Sequence, residues 1–258
     1  MWGAIIGDIV GSRFEFNNHK SKEFELFTPR NYFTDDSLMT IAVAWALKKS
    51  KGMDDKAVRK AAIDCMQELG RRYPGCGFGG MFYDWVMLDA RPYNSYGNGS
   101  AMRVSPVGWV AESEEEVKRL SYDVTAISHD HPEGIKGAEA VAMAIFLARK
   151  GMSKDKIKER IVRDYYPEVE DMYTDSIRPY YAFDETCPGS VPQSFACFFE
   201  GKDFEDTVRT AVSIGGDTDT VAAIAGSMAE AVYGIPEEFK LRATAYLPDD
   251  LLEIINSL

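Results

Sequence analysis

The chain has 258 residues, of which 45% are hydrophobic and 12% aromatic, so it can bury a sizeable core and is not disordered. Its formal net charge of −12 argues against a broad basic face for a nucleic-acid backbone, and no apolar run approaches the ~20 residues needed to span a bilayer. The four cysteines stand singly, without a CxxC pair, so we expect reduced thiols in a cytoplasmic protein and no zinc site.

Helical periodicity dominates the chain. The apolar N-terminal run is interrupted at Asp8, so we predict no signal peptide. A helix that is apolar on all sides is predicted after Ser37, and it ends at the basic residues and glycine of 48–52. Asp54 or Asp55 is predicted to cap a second helix that runs to Leu69. Later helices are predicted to begin at Ser113, Pro132 and Ser153, and to cover Pro192–Glu200, Asp203–Ile214, Asp217–Tyr233, Pro236–Tyr246 and Asp249–Ile255.

Strand patterns are nearly absent from the sequence. Roughly ten or more helices and no convincing strand predict an all-α fold. Three segments look irregular: Gly75–Gly80, Ala90–Ser100 and Tyr165–Val191. No repeat or low-complexity linker divides the chain, so we predict one globular domain over residues 1–258.

Two acidic stretches carry most of the chemical information: Thr34-Asp35-Asp36-Ser37 and Gly215-Gly216-Asp217-Thr218-Asp219-Thr220. Each places carboxylates and hydroxyls where a loop enters an apolar helix, and capping of that helix is the ordinary interpretation. Oxygen ligands without histidine or thiol are also what hard cations such as Mg²⁺ or Mn²⁺ prefer. If the fold brings the two stretches together, they form a two-metal site.

Three further patterns are weaker when taken alone. The glycine-rich turn Tyr96–Arg103 could cradle phosphate with its backbone N–H groups or be an ordinary turn. His129 and His131 precede a helix, where packing or capping is more typical than metal binding. The spacing Gly3-x-x-x-Gly7-Asp8-x-x-Gly11 suits tight packing, and Glu15 follows it among aromatic residues.

Taken in order, these segments resemble the ADP-ribosylglycohydrolase family, which includes the hydrolase that reactivates ADP-ribosylated dinitrogenase reductase. The resemblance extends from residue 3 to residue 236 and rests on Gly3–Ser12, Phe33–Ser37, Gly97–Arg103, Ser128-His129, Gly215–Thr220 and Tyr233–Pro236. It implies an all-α domain with two divalent metal ions in a central cleft.

The resemblance also implies roles for individual residues. It implies six metal ligands: Thr34, Asp35, Asp36, Asp217, Asp219 and Thr220. It places Glu15 on a mobile loop near the metals and His129 in the lining of an ADP-ribose cleft. It also implies that a diphosphate binds to the loop formed by Gly97, Asn98, Gly99 and Ser100. The variable segments 75–90 and 165–191 would meet the adenine or the leaving group.

The activity implied is metal-dependent hydrolysis of the glycosidic bond at C1″ of ADP-ribose in modified proteins or small molecules. Asp36 or Glu15 would relay protons, and the sequence does not choose between them. Two alternatives stand beside this reaction: a non-catalytic ADP-ribose-binding module and a metal-dependent phosphohydrolase of nucleotide diphosphates. Loss of a metal-binding carboxylate would indicate the first alternative, and all of them are present. We expect a monomer that binds neither a membrane nor a nucleic-acid backbone, with the acceptor and the choice of Mg²⁺ or Mn²⁺ left open.

Overall fold

Helices form all the regular structure of the computed structural model, which describes residues 1–258. A single antiparallel bridge between Gly97 and Thr186 is the only β pairing, so the predicted all-α fold is confirmed. Two 3₁₀ turns cover Ser12–Phe14 and Pro167–Asp171. The α-helices are α1 (Trp2–Gly11), α2 (Asp35–Lys49), α3 (Asp55–Arg72), α4 (Gly80–Met87), α5 (Gly99–Met102), α6 (Ser105–Val110), α7 (Glu114–Thr125), α8 (Pro132–Arg149), α9 (Lys154–Asp164), α10 (Thr174–Ile177), α11 (Cys187–Glu200), α12 (Phe204–Ile214), α13 (Thr218–Tyr233), α14 (Glu237–Thr244) and α15 (Asp249–Ser257).

The core is arranged around α13, which packs against α1, α8, α11 and α12. The second buried helix, α2, lies between α1 and α3, while α6 and α7 pack on α8. One continuous hydrophobic cluster takes residues from Ile5 to Ile255, so the chain folds as a single domain. None of the helices is both long and apolar enough to cross a membrane.

The contact between α1 and α13 is unusually close because glycines line it. A Cβ atom added to Gly7 would lie 2.1 Å from the carbonyl oxygen of Ala222, and one added to Gly3 would lie 2.2 Å from that of Gly226. At the other end, Gly11 approaches Thr218 in the same way. The two backbones therefore touch along the whole length of α1.

Polar contacts at both ends fix the register of this antiparallel pair. The carboxylate of Glu230 accepts hydrogen bonds from the N-terminal amine at 2.6 Å and from the Gly3 amide at 2.8 Å. The Thr218 hydroxyl donates to the Gly11 carbonyl at 3.0 Å. The C-terminal end of α1 is thereby held beside the N-terminal end of α13.

Several predicted helix starts are confirmed by their capping bonds. The side chain of Asp54 accepts from the Ala57 amide, and that of Ser113 accepts from the Glu116 amide. His131 caps α8 by accepting from the Glu133 amide at 3.1 Å, in agreement with the capping interpretation of this histidine. Local chemistry alone was sufficient at these positions.

The prediction for Tyr165–Val191 is wrong in part. This segment holds the second 3₁₀ turn, α10 and the start of α11, which begins five residues before Pro192. Thr186 caps α11 by accepting from the Gly189 amide at 3.1 Å, and Pro188 sits in its first turn, where no amide hydrogen is needed. Helices α1 and α4 were also not predicted.

We predict that Gly7→Ala destabilises the protein by about 3 kcal/mol or more, at the upper end of overpacking costs, because the backbone of Ala222 cannot move aside as a side chain can. Thermal melting measures the effect. The matched control is Gly75→Ala, since an added Cβ there meets nothing within 4 Å. Equal melting temperatures for the two variants would contradict the close helix contact.

Candidate active site

Three helix ends meet at one place: the C-terminal end of α1 and the N-terminal ends of α2 and α13. The two acidic stretches, although far apart in sequence, are joined by a hydrogen bond of 3.2 Å from the Thr220 hydroxyl to the Asp36 carboxylate. Both side chains are buried. The structure thus brings together the two stretches that the sequence singled out.

Glu15, Asp217 and Asp219 form the densest group of carboxylates at this place. One oxygen from each lies within 4.8 Å of the others. Buried oxygens of two carboxylates, Oδ1 of Asp36 and Oδ1 of Asp219, have no hydrogen-bond partner. Buried polar atoms are normally paired, so two unpaired carboxylate oxygens in one region of the site are suited to bind a cation.

The electrostatics of the cluster point the same way. Burial, reinforced by the neighbouring carboxylates, raises the pKa of Asp35 to about 8 and that of Glu15 to about 7. The same causes raise the pKa of Asp36 and of Asp219 well above the ordinary range. The neighbouring charges that act most strongly on these four groups are other carboxylates. An all-oxygen donor set that lacks a cation fits hard divalent ions such as Mg²⁺ or Mn²⁺.

Capping explains only part of the two stretches. The hydroxyl of Thr34 does cap α2, accepting from the Asp36 amide at 3.3 Å. Asp217 occupies the N-cap position of α13, but its side chain caps nothing and instead accepts from Asn98 at 2.7 Å. The aspartates of both stretches are therefore available for another purpose.

Asp8 is a supporting residue whose role we did not predict. Its buried carboxylate accepts from the Thr34 amide at 2.9 Å, the Thr34 hydroxyl at 2.8 Å and the Ser37 amide at 3.0 Å, and also from the Ser37 hydroxyl. Burial raises the pKa of Asp8 to about 6. This one side chain ties α1 to the start of α2. A lone acid in an apolar N-terminal run was the available signal.

Asn18 is a second residue that the sequence did not reveal. Its amide group donates to the Gly216 carbonyl at 3.0 Å and accepts from the Gly216 amide at 2.8 Å. It also donates to the carbonyls of Phe14 and Glu15. The segment that carries Glu15 is thereby attached to the turn that precedes Asp217, where Gly216 has a φ of +75° that favours glycine.

The glycine-rich loop before α5 borders the acidic cluster. The amide of Gly97 donates to Ser95 Oγ and that of Asn98 to the Glu185 carbonyl, so neither can hold a phosphate in this arrangement. The amide of Gly99 has no acceptor in the protein. Ser100 lies behind the loop, where its hydroxyl donates to the Gly134 carbonyl at 2.9 Å. Of the predicted backbone donors at 97–99, only Gly99 is free.

A cleft of about 730 Å³ opens over these residues, within the size range of small-molecule sites. Thr34 and Ser100 lie outside its lining, and every other predicted site residue is part of it. His129 lies at its base between the rings of Phe82 and Tyr93, 6.0 and 5.8 Å away between centroids. The lining comprises Glu15, Phe16, Asp35, Asp36, Gly77, Gly79, Gly80, Met81, Phe82, Tyr93, Asn94, Ser95, Tyr96, Gly97, Asn98, Gly99, Met102, Arg103, His129, Phe183, Glu185, Thr186, Asp217, Asp219 and Thr220.

Comparison with known proteins gives a consistent result. The family described as ADP-ribosylglycohydrolase matches residues 1–258. The human ADP-ribosylhydrolase ARH3 is 26% identical over 328 aligned positions, which cover 97% of this chain and 89% of that protein. The ADP-ribosylarginine hydrolase Tri1 of Pseudomonas putida is 25% identical over 54% of this chain and 39% of its own length. A solved structure described as an ADP-ribosylglycohydrolase-related protein complex has a TM-score of 0.69 at 23% identity, covering 98% of this chain and 93% of that one.

We predict that Asn18→Ala loosens the segment 14–20, because the attachment to Gly216 is lost. Amide hydrogen exchange in this segment should become about tenfold faster or more, because the four hydrogen bonds of the Asn18 side chain are removed. Asn17→Ala is the matched control, since no hydrogen bond of its side chain is present in the structure. Equal exchange in the two variants would show that Asn18 does not hold the segment.

Proposed function

The chain belongs to the ADP-ribosylglycohydrolase family, and on this premise we propose that it is a metal-dependent hydrolase of the glycosidic bond at C1″ of ADP-ribose. The observation that carries the proposal is the convergence of buried carboxylates with unpaired oxygens at the base of one cleft. The curated relatives ARH3 and Tri1, both named as ADP-ribosyl hydrolases, support the same reaction class.

We assign the metal-holding role to the two acidic stretches. The ligands would be Thr34, Asp35, Asp36, Asp217, Asp219 and Thr220. Magnesium or manganese ions bound there would supply Lewis-acid stabilisation of developing charge and activation of water. The Thr34 hydroxyl already donates its hydrogen to Asp8, which leaves its oxygen as an acceptor. Asp8 therefore orients a ligand without being one.

The protein offers two carboxylates for proton transfer, and their surroundings differ. Asp36 is only 2% exposed, and one of its oxygens already accepts from Thr220. Glu15 is half-buried, lies in the lining of the cleft and has no side-chain hydrogen bond to the protein. A group that exchanges protons with water must reach water, so we assign the relay to Glu15 and metal binding to Asp36.

The remaining lining suits the ADP-ribose portion of a substrate. The free amide of Gly99 and the imidazole of His129 lie together beside the acidic cluster and would contact the diphosphate. Exposed rings at the mouth, Phe16 and Phe183, stack on each other with centroids 6.0 Å apart. Both rings line the cleft together with Glu15, and Phe16 follows Glu15 directly in the sequence.

We predict that Mg²⁺ or Mn²⁺ raises the melting temperature of the protein. At a concentration 100 times the dissociation constant, the stabilisation is about 2.7 kcal/mol, or roughly 5–10 °C for a chain of this size. Asp219→Asn should abolish the rise, because an amide in place of the unpaired carboxylate is a poor ligand for these ions.

The metal-free Asp219→Asn protein should be at least as stable as the metal-free wild type, since one of several mutually repelling carboxylates is neutralised. The control is Asp155→Asn. This exposed acid on α9 lies outside the cleft lining, so the variant should keep the rise in melting temperature with metal. A metal response of equal size in all three proteins would place the ions elsewhere.

The function itself is tested with a panel of defined conjugates: arginine-linked, serine-linked and O-acetyl ADP-ribose, each with metal or with excess chelator. We expect free ADP-ribose from at least one conjugate, only when metal is present, and no product from Asp217→Ala. Release of AMP with a ribose phosphate would instead identify a phosphohydrolase. Binding of ADP-ribose without turnover of any conjugate would identify a non-catalytic binding module.

A further inference from the structure

Arg103 is a buried cation whose hydrogen-bond donors are mostly unpaired. It follows α5, is 0% exposed and forms no salt bridge. Its single hydrogen bond runs from Nη2 to Ser128 Oγ at 2.8 Å, while Nε and Nη1 have no partner. The guanidinium lies 5.1 Å from the centre of the Phe82 ring. Burial lowers the pKa of Arg103 to about 10, so the group remains charged at neutral pH. Burying a charged group with unpaired donors costs free energy, so the position of Arg103 requires an explanation.

Ser128 connects this cation to the cleft. Its buried hydroxyl lies 2.8 Å from Arg103 Nη2 and 2.8 Å from His129 Nδ1. A guanidinium can only donate, so the serine oxygen accepts from Arg103. The serine hydrogen then has one acceptor within reach, Nδ1 of His129. If Nδ1 of His129 donated to the serine oxygen instead, the buried hydroxyl hydrogen of Ser128 would have no acceptor, which costs free energy.

The direction of these bonds determines where the proton of His129 lies. Because Nδ1 accepts, the single proton of the neutral imidazole is on Nε2. Burial, together with the nearby charge of Arg103, holds the pKa of His129 well below its usual range and keeps the ring neutral. Nε2 faces the glycine-rich loop: a Cβ added at Gly99 would be 3.2 Å from it. No protein atom accepts a hydrogen bond from Nε2.

We propose that Arg103 and Ser128 are positioning residues that hold His129 as a hydrogen-bond donor, through Nε2–H, to an anionic oxygen of the bound ligand. The free amide of Gly99 is the second donor to the same region of the cleft. The tautomer follows from the protein alone. The identity of the acceptor, a phosphate oxygen of ADP-ribose, rests on the proposed function.

The tautomer is measured by ¹⁵N NMR of histidine-labelled protein without ligand. The chain has three histidines, and His129→Gln assigns the signals. We expect the His129 pattern of a neutral ring protonated at Nε2, unchanged through neutral pH. In Ser128→Ala the pattern should shift toward a mixture of tautomers, and Ser128→Thr should restore the original one. A wild-type His129 protonated at Nδ1, or doubly protonated at neutral pH, would overturn the inference.

Calorimetric titration with ADP-ribose then tests the consequence. We expect Ser128→Ala to bind about tenfold more weakly, since an oriented donor to a charged oxygen is lost, and Ser128→Thr to bind like wild type. The control is Ser105→Ala, which removes a buried serine hydroxyl that has no partner and should leave binding unchanged. The melting-temperature response to Mg²⁺ should be the same in all four proteins.

The outcomes separate the inference from the proposed function. If wild type shows the Nε2–H tautomer but does not bind ADP-ribose, the proposed function fails and the positioning by Arg103 and Ser128 stands. If wild type binds ADP-ribose and Ser128→Ala binds it equally well, the positioning role is wrong and the proposed function stands.

Discussion

The contact of α1 with α13 is the constraint on which the site depends. Glycines at three positions of α1 let its backbone touch that of α13, and Glu230 fixes the register by holding the N-terminus of α1. Any larger spacing would move Asp8 and Glu15 away from Asp217 and Asp219. The start of α2 would move with them, because Asp8 binds it directly. Small residues outside the cleft lining therefore determine the geometry of the carboxylates within it.

These carboxylates make the site a source of instability in the metal-free protein. Burial and mutual repulsion raise the pKa of Asp35, Asp36 and Asp219, so each charge is costly while no cation is bound. The location at the N-termini of α2 and α13 offsets part of this cost, since the helix dipole favours negative charge there. The same location explains why capping and metal binding are hard to tell apart in sequence: both use Asp and Thr at a helix start.

The sequence was informative where local chemistry decides the structure. Caps such as Asp54 and Ser113, the long amphipathic helices and the acidic stretches depend on neighbouring residues, and all could be identified. Helix α1 could not, because its glycines are poor helix formers and packing against α13 and its other neighbours stabilises it. The occupied amide of Asn98 was equally hidden, since its acceptor is the Glu185 carbonyl, far along the chain. Which donors remain free is a property of the tertiary structure.

Charge is separated along the cleft, and this separation is independent of the net charge of −12. Glu15, Asp217 and Asp219 lie together in the lining, while the buried Arg103 is linked through Ser128 to His129. Between them, Asn98 donates to Asp217 while its flanking glycines lie against His129. We therefore expect a ligand with an anionic group and a separate hydroxyl-rich group to bind in one orientation, with the anion near His129 and the hydroxyls near the carboxylates. Because Asn98 lies within the glycine-rich loop, a shift of this loop changes the distance between the two groups that the ligand must span. The spacing of the two ends is thus a determinant of specificity that neither acidic stretch could encode alone.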